Sequence, residues 1–140
     1  METQSIEGPV DTPFTRLGGE EFVRQLVERF FTEMEKTAPE LAALHENDPP
    51  GHVSAGARQR FTMFLMGWWG GPQEYFAKRG RPKLRDRHAR LTLNSELRDT
   101  WLRCMGVALD GTPGLDAEMR KFLDARFFEV ADLLRNSPDE

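Results

Sequence analysis

Apolar residues in this chain recur at intervals of three and four, and the alternation expected of a half-buried strand is essentially absent. From Gly19 to about Lys36, Phe22, Val23, Leu26, Val27, Phe30, Phe31 and Met34 share one helical face, with charges on the other. A shorter helical stretch, Glu40 to His45, follows Pro39 and stops before Asp48-Pro49-Pro50-Gly51. Ser54 reads as the N-cap of a second long helix carrying Phe61, Phe64, Leu65, Trp68 and Trp69, stopped by Gly70-Gly71-Pro72. Asn94 caps a third, with Leu97, Trp101, Cys104 or Met105, and Ala108 in one stripe, closed by Gly111-Thr112-Pro113-Gly114. A fourth runs from about Asp116 to Leu134 through Met119, Phe122, Leu123, Phe127, Val130, Leu133 and Leu134. Val and Ile are scarce and no segment repeats, so the pattern predicts an all-α domain that is not a solenoid.

The chain of 140 residues has room for about one domain of the usual 100–200 residues. Residues 1–12 are polar and aperiodic and read as a flexible extension, 13–136 as the domain and 137–140 as a tail. With 39% hydrophobic and 30% charged residues the chain is globular in composition, and its single cysteine, Cys104, excludes a disulfide scaffold or a thiolate zinc finger. The first thirty residues lack a basic start followed by an apolar run. No stretch approaches the roughly 18 apolar residues of a membrane helix, so neither signal peptide nor membrane span is expected and the cytoplasm is the default. A net charge of -4 argues against general nucleic-acid binding, which positive charge drives. Gly-x-Ser-x-Gly and Gly-rich phosphate loops are missing.

The three histidines remain as candidates. His45, His52 and His88 do not stand four apart, so a zinc centre made of histidines alone is not supported. A lone histidine is ordinarily structural or solvent-facing, but His88 has an unusual setting. Gln73 to Leu91 is too basic and too interrupted by Gly80 and Pro82 for one helix, and short turns are expected near Glu74 to Lys78 and Leu84 to Ala89. Leu84 and His88 then share a face while Arg85 and Arg87 project elsewhere. From Lys78 to Arg90 there are seven Lys or Arg against one acid, Asp86. The segment reads as a solvated basic surface, as a basic helical module for nucleic acid or an acidic protein, or as the seat of an anionic cofactor. Haem needs a neutral imidazole, an apolar aromatic wall and cations for two propionates, all of which the chain contains.

From about Phe14 to Asn136 the sequence resembles the group II truncated haemoglobins. Three segments carry the resemblance in the family's order: Trp68-Trp69-Gly70-Gly71-Pro72 with Tyr75; Gly80-x-Pro82-x-Leu84-Arg85-x-Arg87-His88; and Arg98-Asp99-x-Trp101-Leu102-x-Cys104-Met105. The resemblance implies a globin-like, truncated two-over-two helical sandwich around haem b, with a loop replacing most of the proximal helix. His88 aligns with the proximal iron ligand, and a backbone carbonyl near Leu84 would fix its tautomer. Arg87 and Tyr75 are candidates for the propionates, although Lys78, Arg79 or Arg85 could substitute.

Trp101 is placed beside the sixth coordination position, where an indole N–H donates to a diatomic ligand; without the family it reads as a core tryptophan. Phe31 stands where the family usually has tyrosine, which removes a hydroxyl. His45 either restores a polar contact, even as a sixth iron ligand, or simply ends a short helix. Ala57 leaves a side entrance over the haem, Phe61 narrows the pocket, and Phe64, Leu65, Leu91 and Met105 complete the wall. Arg81 and Leu91 also depart from the family pattern, at the haem edge. The expected function is reversible binding of dioxygen, nitric oxide or carbon monoxide, by a monomer or homodimer without nucleic acid or membrane. The alternative is a haem-dependent peroxidase or nitric oxide dioxygenase-type enzyme, acting on peroxide or nitric oxide with a possible reductase partner.

Overall fold

The structure is a computed structural model and describes residues 12–74, 77 and 93–134, the last two as backbone only. Its helices are α1 (Pro13–Leu17), α2 (Gly19–Thr37), α3 (Pro39–Ala42), α4 (Ala55–Trp68), α5 (Ser95–Gly111) and α6 (Ala117–Leu134). Among the described residues the only extended pairing is an isolated bridge between Asn47 and Val53. The protein is all-α, and no helix among the described residues is long and apolar enough to cross a membrane.

α2 organises the rest because its apolar stripe is unbroken. Phe22, Val23, Leu26, Val27, Phe30, Phe31 and Met34, the residues placed on one face by their spacing, are all buried. That face packs against α4 and α5, and α5 packs in turn on α6. Two helix pairs result, α2 with α4 and α5 with α6. Leu65 from α4, Cys104, Met105 and Ala108 from α5, and Leu123 and Phe127 from α6 join the same core. Two of the long helices start where the sequence places side-chain caps: Ser54 Oγ accepts from the Ala57 N–H at 3.1 Å and Asn94 Oδ1 from the Leu97 N–H at 3.0 Å. Asp116 Oδ1 does the same for the Met119 N–H at 2.8 Å. Each cap satisfies an N–H that the first helical turn leaves without a partner, worth about 1 kcal/mol.

Three details differ from the periodic reading. α1 is too short at five residues to register as periodicity; it forms because Thr12 and Thr15 cap each other and Pro13 opens the first turn. The Phe14 N–H donates to the Trp69 carbonyl at 2.9 Å, docking α1 where α4 ends. This contact explains the paired glycines after Trp69. Gly70 has φ of +92°, and a Cβ on Gly71 would lie 2.7 Å from the Phe14 ring. The helix after Pro39 ends at Ala42 rather than His45, because Asn47 Nδ2 donates to the carbonyls of Ala42 at 3.0 Å and His45 at 2.8 Å. Phe122, expected in the apolar stripe of the last helix, is 38% exposed. α6 buries Met119, Leu123 and Phe127, spaced by four, against α5, which leaves Phe122 outside beneath the Arg126 guanidinium at 5.8 Å.

Candidate functional site

Where the two helix pairs meet, their aromatic residues form one continuous cluster. α2 contributes Phe30 and Phe31, α4 Phe61, α5 Trp101 and α6 Phe127; His45 enters from the turn after α3. Phe30 is central: its ring centroid lies 5.0 Å from Phe31, 5.6 Å from Phe61 and 5.1 Å from Trp101. Trp101 meets Phe127 at 5.7 Å and Phe61 at 6.5 Å. Phe31 is edge-on to Phe61 at 5.8 Å and to His45 at 5.3 Å. These are tilted or edge-to-face arrangements, in which the positive rim of one ring meets the negative face of the next.

His45 is held at both ends. Its Nδ1 lies 3.1 Å from the Leu41 carbonyl oxygen, which can only accept, so Nδ1 carries the proton and the ring is oriented toward Phe31. Trp101 is partly buried, whereas Phe30 and Phe31 are almost wholly enclosed. The structure therefore brings Phe31, His45, Phe61 and Trp101 together. Ala57 lies in the first turn of α4, half-buried. Phe64 stacks on Trp68 at 5.7 Å, and Leu65 and Met105 are core residues. Tyr75, Leu84, Arg87, His88 and Leu91, with the rest of the basic segment from Lys78 to Arg90, lie outside the described residues.

Sequence reasoning passed over four residues here. Phe30 and Phe127 belong to the helical stripes, but spacing does not tell a core ring from one that joins two helix pairs. Trp69 is 3% exposed, contacts Trp68 at 6.1 Å and Phe127 at 5.8 Å, and its indole Nε1 has no hydrogen-bond partner among the described residues. The fourth is Arg58, buried in α4 with its guanidinium 5.5 Å from the Phe31 ring centroid. No sequence signal distinguishes it from the exposed arginines.

Cys104 is buried, and burial pushes its thiol up from the ordinary range, against the smaller opposing effect of the Arg103 charge. It is core, not a nucleophile. Among the described residues no group of three His, Cys, Asp or Glu could hold a metal ion.

Residues 12–134 match the bacterial-like globin family. Among solved structures, the chain is similar to the group II truncated haemoglobin of Bacillus anthracis, at 30% identity and a TM-score of 0.82, over 93% of this chain and 100% of that one. It is similar to the cold-adapted truncated haemoglobin of the Antarctic marine bacterium Pseudoalteromonas haloplanktis, at 34% identity and a TM-score of 0.82, over 91% and 100% of the two chains. The group II 2-on-2 haemoglobin of Agrobacterium tumefaciens matches at 30% identity and a TM-score of 0.82, over 94% and 99%. Family, fold and coverage agree along nearly the whole length: the chain belongs to the bacterial-like globin family and is a haem globin of the group II truncated, two-on-two type.

Proposed function

We propose that this globin holds haem b through His88 and reversibly binds dioxygen, and other diatomic ligands such as nitric oxide and carbon monoxide, beneath Trp101. The observation that carries the reading is the cluster of Phe31, Phe61, Trp101 and His45, an aromatic wall with two N–H-bearing rings at its edge. These residues fit a haem. Its macrocycle needs a flat apolar surface, and the indole N–H of Trp69, buried and without a partner among the described residues, is a donor in want of an acceptor. Ferrous haem supplies the metal at which a diatomic ligand binds.

The chain's own residues do the rest. The imidazole of His88 would hold the iron, and Arg87 and Tyr75 would meet the propionates. The Trp101 N–H donates to a ligand that carries partial negative charge. Phe31 closes the wall with no hydroxyl, so the polar contacts fall to Trp101 and His45. Ala57, with its small side chain, would leave a side entrance to a bound haem, and Phe61 would narrow the pocket.

Hemin added to the purified protein gives a Soret band, and His88→Ala abolishes or shifts it. A spectrum unchanged by that substitution refutes the ligand assignment. A second reading, a haem-dependent redox enzyme acting on peroxide or nitric oxide, is favoured by one observation. Trp101 touches Phe127, which in turn touches Trp68 at 5.9 Å and Trp69 at 5.8 Å, so oxidisable indoles extend from the pocket. Turnover of peroxide with a reducing substrate separates the two readings.

A further inference from the structure

Beside Phe31 lies a charge cluster, enclosed at Arg58 and Glu35 and open at Glu28, that the haem-pocket reading leaves without a role. The Arg58 side chain is 8% exposed and Glu35 18%. Arg58 Nη2 donates to Glu35 Oε2 at 2.6 Å, Nη1 to Glu28 Oε1 at 2.7 Å, and Nε to the Val53 carbonyl at 2.9 Å. Glu35 Oε2 also accepts from the Val53 N–H at 2.6 Å and lies 3.1 Å from His52 Nδ1. One carboxylate oxygen thus gathers two donors, from Arg58 and Val53, with the His52 ring beside it.

His52 and Val53 close the loop between α3 and α4. Val53 bridges Asn47, the Asp48 N–H donates to the His52 carbonyl at 2.8 Å, and the Ser54 N–H donates to the Glu46 carbonyl at 2.8 Å. Asn47 Nδ2 then reaches the His45 carbonyl at 2.8 Å. A continuous path of hydrogen bonds and one bridge runs from Arg58 and Glu35 through Val53 and Asn47 to the backbone of His45. The Phe31 ring sits between the two ends of this path, with the guanidinium 5.5 Å from its centroid and the imidazole at 5.3 Å.

We infer that Arg58 and Glu35 are positioning residues for the distal pocket, their buried pair locking the 43–54 loop so that His45 is held edge-on to Phe31. The inference rests on the haem-pocket reading above. A buried ion pair is a poor way to gain stability, because desolvating both charges consumes most of their attraction and an apolar pair of similar volume often serves as well. What the pair does supply is geometry. It joins positions 23 and 30 residues apart through a planar fork whose donors allow little freedom. An apolar pair would fill the same space without gripping both the N–H and the carbonyl of Val53.

The test uses the full chain in its ferrous carbon monoxide form. The double variant Arg58→Met with Glu35→Leu removes both charges together and so avoids stranding one. We expect it to fold and take up haem, while amides of residues 46–54 exchange at least about tenfold faster and those of α5 and α6 do not. The ¹⁵N signals of the His45 ring lose the single Nδ1–H tautomer signature, and the one carbon monoxide stretching band broadens or splits. A double variant that keeps the tautomer signature, the single band and the loop protection overturns the inference. Should the double variant fail to fold, Glu35→Gln, which keeps an acceptor for Val53, must preserve the His45 signature, and Glu35→Ala must lose it. Equal behaviour of those two variants also overturns it. Failure of the unaltered protein to bind haem instead refutes the haem-pocket reading, so the two failures are distinguishable.

Discussion

Replacing Trp101 with phenylalanine separates the indole's N–H from its packing. The ring meets Phe30 at 5.1 Å, Phe127 at 5.7 Å and Phe61 at 6.5 Å, all tilted or edge-on. A phenyl ring in the same place keeps the edge-to-face sense of these contacts and loses part of their area. Because Trp101 is only partly buried and the change leaves an aromatic hydrocarbon, the stability cost is expected below about 1.5 kcal/mol. The N–H is lost outright. A hydrogen bond to an acceptor bearing charge contributes about 1.5–3 kcal/mol. At about 1.4 kcal/mol per factor of ten, dioxygen should leave Trp101→Phe roughly 10- to 100-fold faster. Carbon monoxide, a weaker acceptor, should change less, which makes the ratio of the two effects diagnostic. Stopped-flow displacement of dioxygen from the ferrous protein measures the rate, and thermal unfolding checks that the fold is intact. If dioxygen release changes by less than about twofold, the reasoning fails and the indole N–H is not the group that holds the ligand.

Three further outcomes follow from the packing and the charges. Phe127→Ala, at a residue 2% exposed that touches Trp68, Trp69 and Trp101, should cost about 3–5 kcal/mol in denaturant unfolding, and a cost under about 1 kcal/mol would show that α6 does not close the aromatic cluster. Cys104, wholly buried with its thiol pushed up by desolvation, should resist iodoacetamide in the native protein and react only on unfolding; stoichiometric labelling of the native chain would contradict its core placement. The Ser54 hydroxyl and then the Arg60 guanidinium hold the Glu46 carboxyl below the ordinary range. Its stabilising contribution is therefore present above the unfolded-state pKa and lost as pH falls through the folded one. The stability difference between the protein and Glu46→Gln should shrink below about pH 4, and a difference that grows on acidification would reverse the assignment.

Most of the architecture was legible in the order of residues, because helix formation depends on near neighbours. The seven apolar residues of α2 lie within one stretch and share a face through the 3.6-residue turn alone. The caps at Ser54 and Asn94 act over three residues. α1 escaped notice because five residues hold too little periodicity, and Phe122 was misplaced because its side of α6 resembles the buried side in composition. Asn47 shortened the helix after Pro39 by taking two carbonyls, a choice that spacing does not reveal. In the pocket, Phe31, His45, Phe61 and Trp101 were named through the family's motifs. The centrality of Phe30 and Phe127 depends on which helix faces which.

Local periodicity and motif order specify the four long helices, the caps at Ser54 and Asn94, and membership of a globin family. Only the tertiary structure decided that Arg58 is buried rather than solvated, since its partners Glu28 and Glu35 lie 30 and 23 positions away. A guanidinium at position 58 meets those carboxylates only because α2 and α4 pack side by side, and that packing keeps most water from Glu35 while Glu28 stays exposed. The edge-on contact of His45 with Phe31 likewise joins positions that are not near neighbours in sequence. Periodicity specifies which residues can turn inward; the meeting of helices distant in sequence decides what they find there.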